Sequence, residues 1–132
     1  MDLREEKIGE VSILGVAGRI DSSTAPALEK RLTENLGAAQ VRVVLDLSRL
    51  EYISSAGFRI LLLAAKRADE TGSRFVLCGV GGKVRQLFDL GGFLDLFTIV
   101  GAREDGIAAA HRCGESGAVQ QIAAMKRELG MP

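Results

Sequence analysis

Two hydrophobic periods, one of about two residues and one of about 3.6, divide this chain into elements. Residues 2–7 and 11–17 flank Ile8-Gly9-Glu10, where the glycine predicts a tight hairpin between two short strands. Asp21, Ser22 and Ser23 follow the second strand and are all good helix caps, and Pro26 suits only the first turn of a helix. Ala25, Leu28, Leu32 and Leu36 then form a helical stripe that Gly37 can end. Val41–Leu47 is short and rich in β-branched residues, the composition of a buried strand. Ile60–Ala68 is rich in Leu and Ala and predicts a helix that stops near Glu70–Ser73. Arg74–Val80 reads as a further apolar strand. Val84, Leu87, Phe88 and Leu90 are expected on one side of a short helix that Gly91-Gly92 closes. Phe97–Val100 predicts a last strand, and Glu104–His111 a helix with an Ala-rich face.

The order is therefore β-β-α-β-α-β-α-β-α. Alternation of this kind implies an α/β fold with a mixed, mostly parallel sheet of about five strands, the opening hairpin being its antiparallel part. The domain is expected over residues 1–113. At Gly114-Glu115-Ser116-Gly117 the pattern breaks, and residues 114–132 form a tail. Within the tail, Ala118, Ile122, Met125 and Leu129 follow the spacing of an amphipathic helix. Packing on its own domain and a homodimer contact are comparable fates for that stripe.

A chain of 132 residues suits one domain and buries enough surface to fold without staples. Its 17 basic and 17 acidic residues cancel, so charge gives no reason to expect nucleic acid or an anionic membrane as partner. Cys78 sits in the apolar run Phe75-Val76-Leu77-Cys78 and reads as a core thiol, while Cys113 stands near the polar tail. With two cysteines, no CxxC pair and one histidine, there is little material for a metal site, and sparse cysteine fits a reducing cytosol. The charged start and the short apolar runs predict a soluble cytoplasmic protein without a membrane span.

The residues that invite chemistry lie at the joint Leu50-Glu51-Tyr52-Ile53-Ser54-Ser55-Ala56-Gly57-Phe58, between strand and helix. Ser and Thr favour a helix start, because the side-chain oxygen accepts from an otherwise unpaired N–H. A serine nucleophile needs a base, and the single histidine, His111, lies in the last helix; the pattern G-x-S-x-G is absent, since Ile53 stands two residues before Ser55. A small serine hydrolase is thus a poor second reading. Gly79-Val80-Gly81-Gly82-Lys83 has the wrong spacing for a phosphate-cradling loop, and Val84 follows its lysine, so it reads as a turn into a helix. Asp21 and Asp46 each follow or approach a strand end, and a parallel sheet is expected to bring both to the rim that holds Ser55.

Taken in order, Val16-Ala17-Gly18-Arg19-Ile20-Asp21-Ser22, Val43-Val44-Leu45-Asp46-Leu47 and Tyr52-Ile53-Ser54-Ser55-Ala56-Gly57-Phe58-Arg59 resemble the STAS domain of bacterial anti-anti-sigma factors. Phe75–Val80 and Val84–Phe88 continue the match, which covers about residues 5–112. The resemblance implies a small mixed sheet with helices mainly on one face. It also implies a serine at the start of the second helix, in a pattern like Asp-Ser-Ser/Thr-Gly-Leu. An anti-sigma factor that is also a serine-protein kinase phosphorylates that serine, and a PP2C-like phosphatase reverses it. The unphosphorylated form binds the anti-sigma factor and frees sigma. By alignment the acceptor falls on Ser55, with Ser54 as the fallback, and Gly57 matches the family glycine. Ser54 stands where the best-known members have Asp, Ala56 where they have a hydroxyl residue, and Phe58 where they have Leu. On this reading Asp21, Ser22, Ser54, Ser55, Gly57 and Phe58 meet the partner, with Phe58 an apolar anchor and Asp21 and Asp46 flanking the site. Neither catalysis nor a cofactor is expected. A STAS scaffold without phosphorylation, or a subunit of a membrane-associated complex, is the alternative among binding modules.

Overall fold

The computed structural model describes residues 1–92 and 96–111. The helix expected over 118–129, the domain boundary at 113 and Cys113 lie outside the described residues. The elements are β1 (Asp2–Ile8), β2 (Val11–Ile20), α1 (Ala25–Asn35), β3 (Arg42–Ile53), α2 (Ser55–Thr71), β4 (Arg74–Cys78), α3 (Gly82–Leu90), β5 (Thr98–Val100) and α4 (Arg103–His111). The strands lie in the sheet in chain order, β1-β2-β3-β4-β5. The β1–β2 hairpin is antiparallel and the other pairs are parallel.

Alternation along the strands sends side chains to two cores. Leu14, Val16, Leu45, Leu47 and Leu77 face α1, α2 and α3, where Leu28, Leu32, Leu61, Val84 and Phe88 meet them. Val11, Ile13, Val44, Val76 and Cys78 face the other way, against Ala109 and Ala110 of α4. Three helices thus cover one face and α4 covers part of the second. Burying each large side chain is worth roughly 1.5–3 kcal/mol, so the first core dominates. Cys78 is a packing residue: burial, and then the nearby Asp46 charge, push its thiol up to about 11. The edge strand β1 is exposed apart from half-buried Leu3, and its charges discourage pairing with other chains.

The structure departs from the sequence pattern in two places that matter for the site. Leu90 does not share the face of Val84 and Phe88: it is 85% exposed, because six residues after Val84 it has turned to the far side of α3. More consequentially, β3 does not end at Leu47 but runs on to Ile53. Between the pairs Gly15↔Asp46 and Ala17↔Arg49, and again between Gly18↔Leu50 and Arg19↔Tyr52, β3 advances one residue more than β2. Two bulges in β3 therefore break the alternation that would have marked it as a single strand.

Candidate functional site

The bulged extension brings β2 and β3 to an end together, as the pair Ile20↔Ile53. The Ser54 N–H then donates to the Ile20 carbonyl at 2.8 Å, which ties the joint to β2. Ser54 is extended (φ −86, ψ 173) and caps α2: its Oγ accepts from the Gly57 N–H at 3.3 Å. The Ser54 carbonyl accepts the first helical bond, from the Phe58 N–H at 3.0 Å. Ser55, the first residue of α2, is exposed, and among the described residues its hydroxyl has no partner. The two serines thus divide the work: Ser54 holds the helix end, and Ser55 stands on it in solvent. Ser54→Ala is expected to cost about 1 kcal/mol of stability, seen as a lower urea midpoint with an unchanged slope.

On the neighbouring β2 end, Asp21 folds a turn. Its Oδ1 accepts from the Ser23 N–H at 2.9 Å, the Ser23 hydroxyl at 2.6 Å and the Thr24 N–H at 3.2 Å. The Ser23 hydroxyl, followed by the Ser23 N–H, holds this carboxyl below the ordinary aspartate range. The N-cap of α1 is Thr24 rather than Asp21, Ser22 or Ser23, and its hydroxyl does not cap the helix but bonds back to the turn. Thr24 Oγ1 accepts from the Asp21 N–H at 2.8 Å and donates to the Arg19 carbonyl at 3.0 Å. Ser22 is exposed at the tip. Asp21, Ser22, Ser54 and Ser55 are thus brought to one rim by the paired strand ends.

Three expected site residues are placed elsewhere in role. Phe58 is 5% exposed and meets Phe88 edge-to-face, with ring centroids 4.7 Å apart. One helical position past Gly57, it turns inward with Ile60 and Leu61, so it is core and not a surface anchor. Gly57 is buried as well, and its missing side chain lets α2 approach Ile20 and Ile53. Asp46 does not flank the site. Because β3 continues to Ile53, Asp46 lies in mid-strand, on the order of 20 Å from the strand end at about 3.3 Å per residue. It pairs with Arg103 of α4, whose Nη2 donates to its Oδ2 at 3.2 Å, on the face opposite α2. Arg103 Nη1 also donates to Glu6 Oε1 at 2.8 Å, which joins β1, β3 and α4. Gly79 (φ +69) fits beside this group because a Cβ there would come within 3.0 Å of Asp46 Oδ1.

Burial pushes the Asp46 carboxyl up, but the Ser48 N–H and the Arg103 guanidinium outweigh it and leave the carboxyl below the ordinary aspartate range. A carboxyl lowered in the folded state gives stability that is present above the unfolded value and is lost as pH falls through the folded one. Asp46→Asn is therefore expected to be less stable than the parent at pH 7. The gap should narrow below about pH 4, as followed by urea midpoints across pH.

Sequence reasoning did not single out a second feature of this rim. The Arg19 guanidinium lies over the Tyr52 ring, 4.5 Å from its centroid. Beside it runs a groove of about 420 Å³ lined by Arg19, Leu50, Glu51, Gly82 and Lys83. Both aromatic and cation stand in the quoted motifs, but only the bulged register makes them neighbours. Among the described residues no three His, Cys, Asp or Glu side chains gather as metal ligands, and no helix is long and apolar enough to cross a membrane.

A family model described as the STAS domain matches residues 3–106. BtrV of Bordetella bronchiseptica, named as a proposed anti-sigma factor antagonist, is 40% identical over 109 residues, which span 83% of this chain and 94% of BtrV. An anti-sigma-B factor antagonist of Listeria monocytogenes is 27% identical, over 75% of this chain and 86% of that protein. Among solved structures, an anti-sigma factor antagonist from Mycobacterium paratuberculosis superposes with a TM-score of 0.75 at 28% identity, covering 84% of this chain and 94% of that one.

Proposed function

The chain belongs to the STAS domain family, and from that membership we propose that it is an anti-sigma factor antagonist switched by phosphorylation of Ser55. Unphosphorylated, it binds an anti-sigma factor that is also a serine-protein kinase, and so releases sigma; phosphorylated, it lets go. A PP2C-like phosphatase resets it. The observation that carries this reading is the division of the two serines: the Ser54 hydroxyl is used in the cap, and Ser55 is exposed on the helix end. Exposed Ser55 and Ser22, with half-buried Asp21, form the accessible part of the contact, and Phe58 supports it from beneath.

The physics of the switch is electrostatic. The first N–H groups of a helix have no intrahelical acceptor and carry the positive end of the dipole, so a phosphate on Ser55 leaves the fold intact. That phosphate adds roughly −1.5 to −2 charges at neutral pH. Within an interface this charge must be desolvated, and Asp21 on the same rim adds like-charge repulsion, so docking is lost without refolding. The test is incubation with ATP and a candidate anti-sigma factor kinase of the same organism, followed by mass spectrometric mapping. Label on Ser55, absent in Ser55→Ala, is expected. Label on Ser54 instead, or stable partner capture with no label from any candidate kinase, overturns the switch. Esterase turnover lost in Ser55→Ala would overturn the binding role itself.

A further inference from the structure

We infer that the far half of β3 is a docking edge, to which an extended, acidic segment of the anti-sigma factor adds as a further strand beside the Ser55 rim. The inference rests on the antagonist reading and names how the partner is held there. β2 pairs with β3 as far as Ile20↔Ile53, whereas β4 stops at Cys78↔Asp46. Beyond Asp46, β3 therefore has β2 on one side and, among the described residues, no strand on the other. The chain that could have filled that side is turned away. Gly79 takes a left-handed conformation (φ +69), and its N–H donates to the Gly101 carbonyl at 2.9 Å, on the β5 side of the sheet. Residues 49–53 thus present roughly 16 Å of strand edge, at about 3.3 Å per residue. The N–H and C=O groups of such an edge that point away from its one neighbour are a template for another chain.

The groove into which the edge opens selects the occupant. It lies between the edge and the start of α3 and measures about 420 Å³. Its apolar lining, Leu50 and Val84, is already buried in the core, so little apolar surface is left to seat a helix. Main-chain pairing is what it offers, and that calls for an extended segment. Charge then sets the sign of the occupant. The exposed cations Arg19 and Lys83 line the groove, and against them stands Glu51. The first turn of α3 carries no acidic residue, and its N-cap, Gly81, lends no side chain to the free N–H groups there. The potential over the groove is thus positive, and acidic side chains complement it. The edge also leads into the site: Ile53 is followed by the cap Ser54 and then by Ser55, so Glu51 lies within about 14 Å of Ser55. An acidic segment lying along the edge ends near Ser55, where a phosphate repels it, and this links the edge to the switch.

The experiment mixes the full chain with candidate anti-sigma factor kinases of the same organism, without ATP, and follows amide exchange and affinity. In the free chain the groove-facing amides of residues 49–53 are expected to exchange fast, and capture to slow them at least about tenfold. Lys83→Glu is expected to weaken capture at least about tenfold and Glu51→Lys to tighten it about threefold. Both positions are exposed, so melting temperatures should stay within about 2 °C of the parent. Capture by the parent with exchange over 49–53 unchanged, or equal affinities for all three proteins, overturns this inference and leaves the antagonist reading standing. Protection already present in the free chain gives the edge to another segment of this chain if constant on dilution, or to a second copy if it rises with concentration; either overturns the inference. No capture of any candidate by the parent overturns the antagonist reading and this inference with it.

Discussion

Alanine at position 57 lowers the stability of the domain by about 2–3 kcal/mol, although alanine is the better helix former. A Cβ on Gly57 would lie 2.6 Å from Ile53 Cγ1 and 2.7 Å from Ile20 Cγ2. Favourable carbon contacts begin near 3.5 Å, so α2 must lift or both isoleucines must leave their rotamers. Neither isoleucine has room, being 0–1% exposed at the ends of β2 and β3. The gain in helix propensity, about 1 kcal/mol, is smaller than the overpacking cost. Thermal unfolding should show a fall of roughly 10 °C, and a midpoint equal to the parent's would refute the argument. Any lift of α2 also moves Ser54 and Ser55, so partner capture should weaken beyond what the loss of folded protein explains.

Under the proposed switch, glutamate at position 55 is expected to abolish capture of the anti-sigma factor, by at least about a hundredfold in affinity, while thermal stability stays within about 2 °C of the parent. The two halves of this expectation have separate causes. The first turn of α2 carries no acidic residue, so a new carboxylate meets the positive helix end and costs the fold nothing. In the docked state the same charge must be stripped of water next to Asp21, and an unpaired desolvated charge at an interface centre costs several kcal/mol. Titration calorimetry with Ser55→Glu, Ser55→Ala and parent separates the cases. Ser55→Ala should bind like the parent, since the exposed hydroxyl has no partner among the described residues. Equal affinities for all three would remove Ser55 from the interface.

How much of this could be read from residues alone follows from what kind of signal each feature carries. Helix α1 was legible because its apolar positions recur at the helical period, α2 and α4 because their runs are rich in Leu or Ala, and the ends of α1 and α2 also carry Pro, Ser or Gly. The mixed sheet was legible because strands alternate with helices. The far half of β3 was not, because Ser48, Arg49 and Glu51 interrupt its apolar residues and two bulges shift the face on which each falls. That hidden extension explains why Asp46 was misplaced: a carboxylate near an apparent strand end lies in fact in the middle of a longer strand. The inward turn of Phe58 is a matter of one helical step, 100°, and depends on where the cap sits. Once Ser54 is known to be the cap, the burial of Gly57 and Phe58 follows; from sequence either serine would have served.

Strand order in the sheet is chain order, and that governs how the molecule assembles. Every β pairing joins consecutive strands, so each new strand can add to a sheet edge already made, and no early segment must wait for a late one. The N-terminal hairpin, then α1 with β3, then α2 with β4, can organise while the rest is still being synthesised. The exceptions are the bonds made by α4. Arg103 reaches Glu6 across 97 residues of chain, and Arg42 holds the Ala110 carbonyl across 68. Such long closures form after the folding barrier, so weakening them should quicken unfolding and leave the refolding rate almost unchanged. The back of the sheet is thus the last part to close and the first to open, and it sets how long each folded molecule survives.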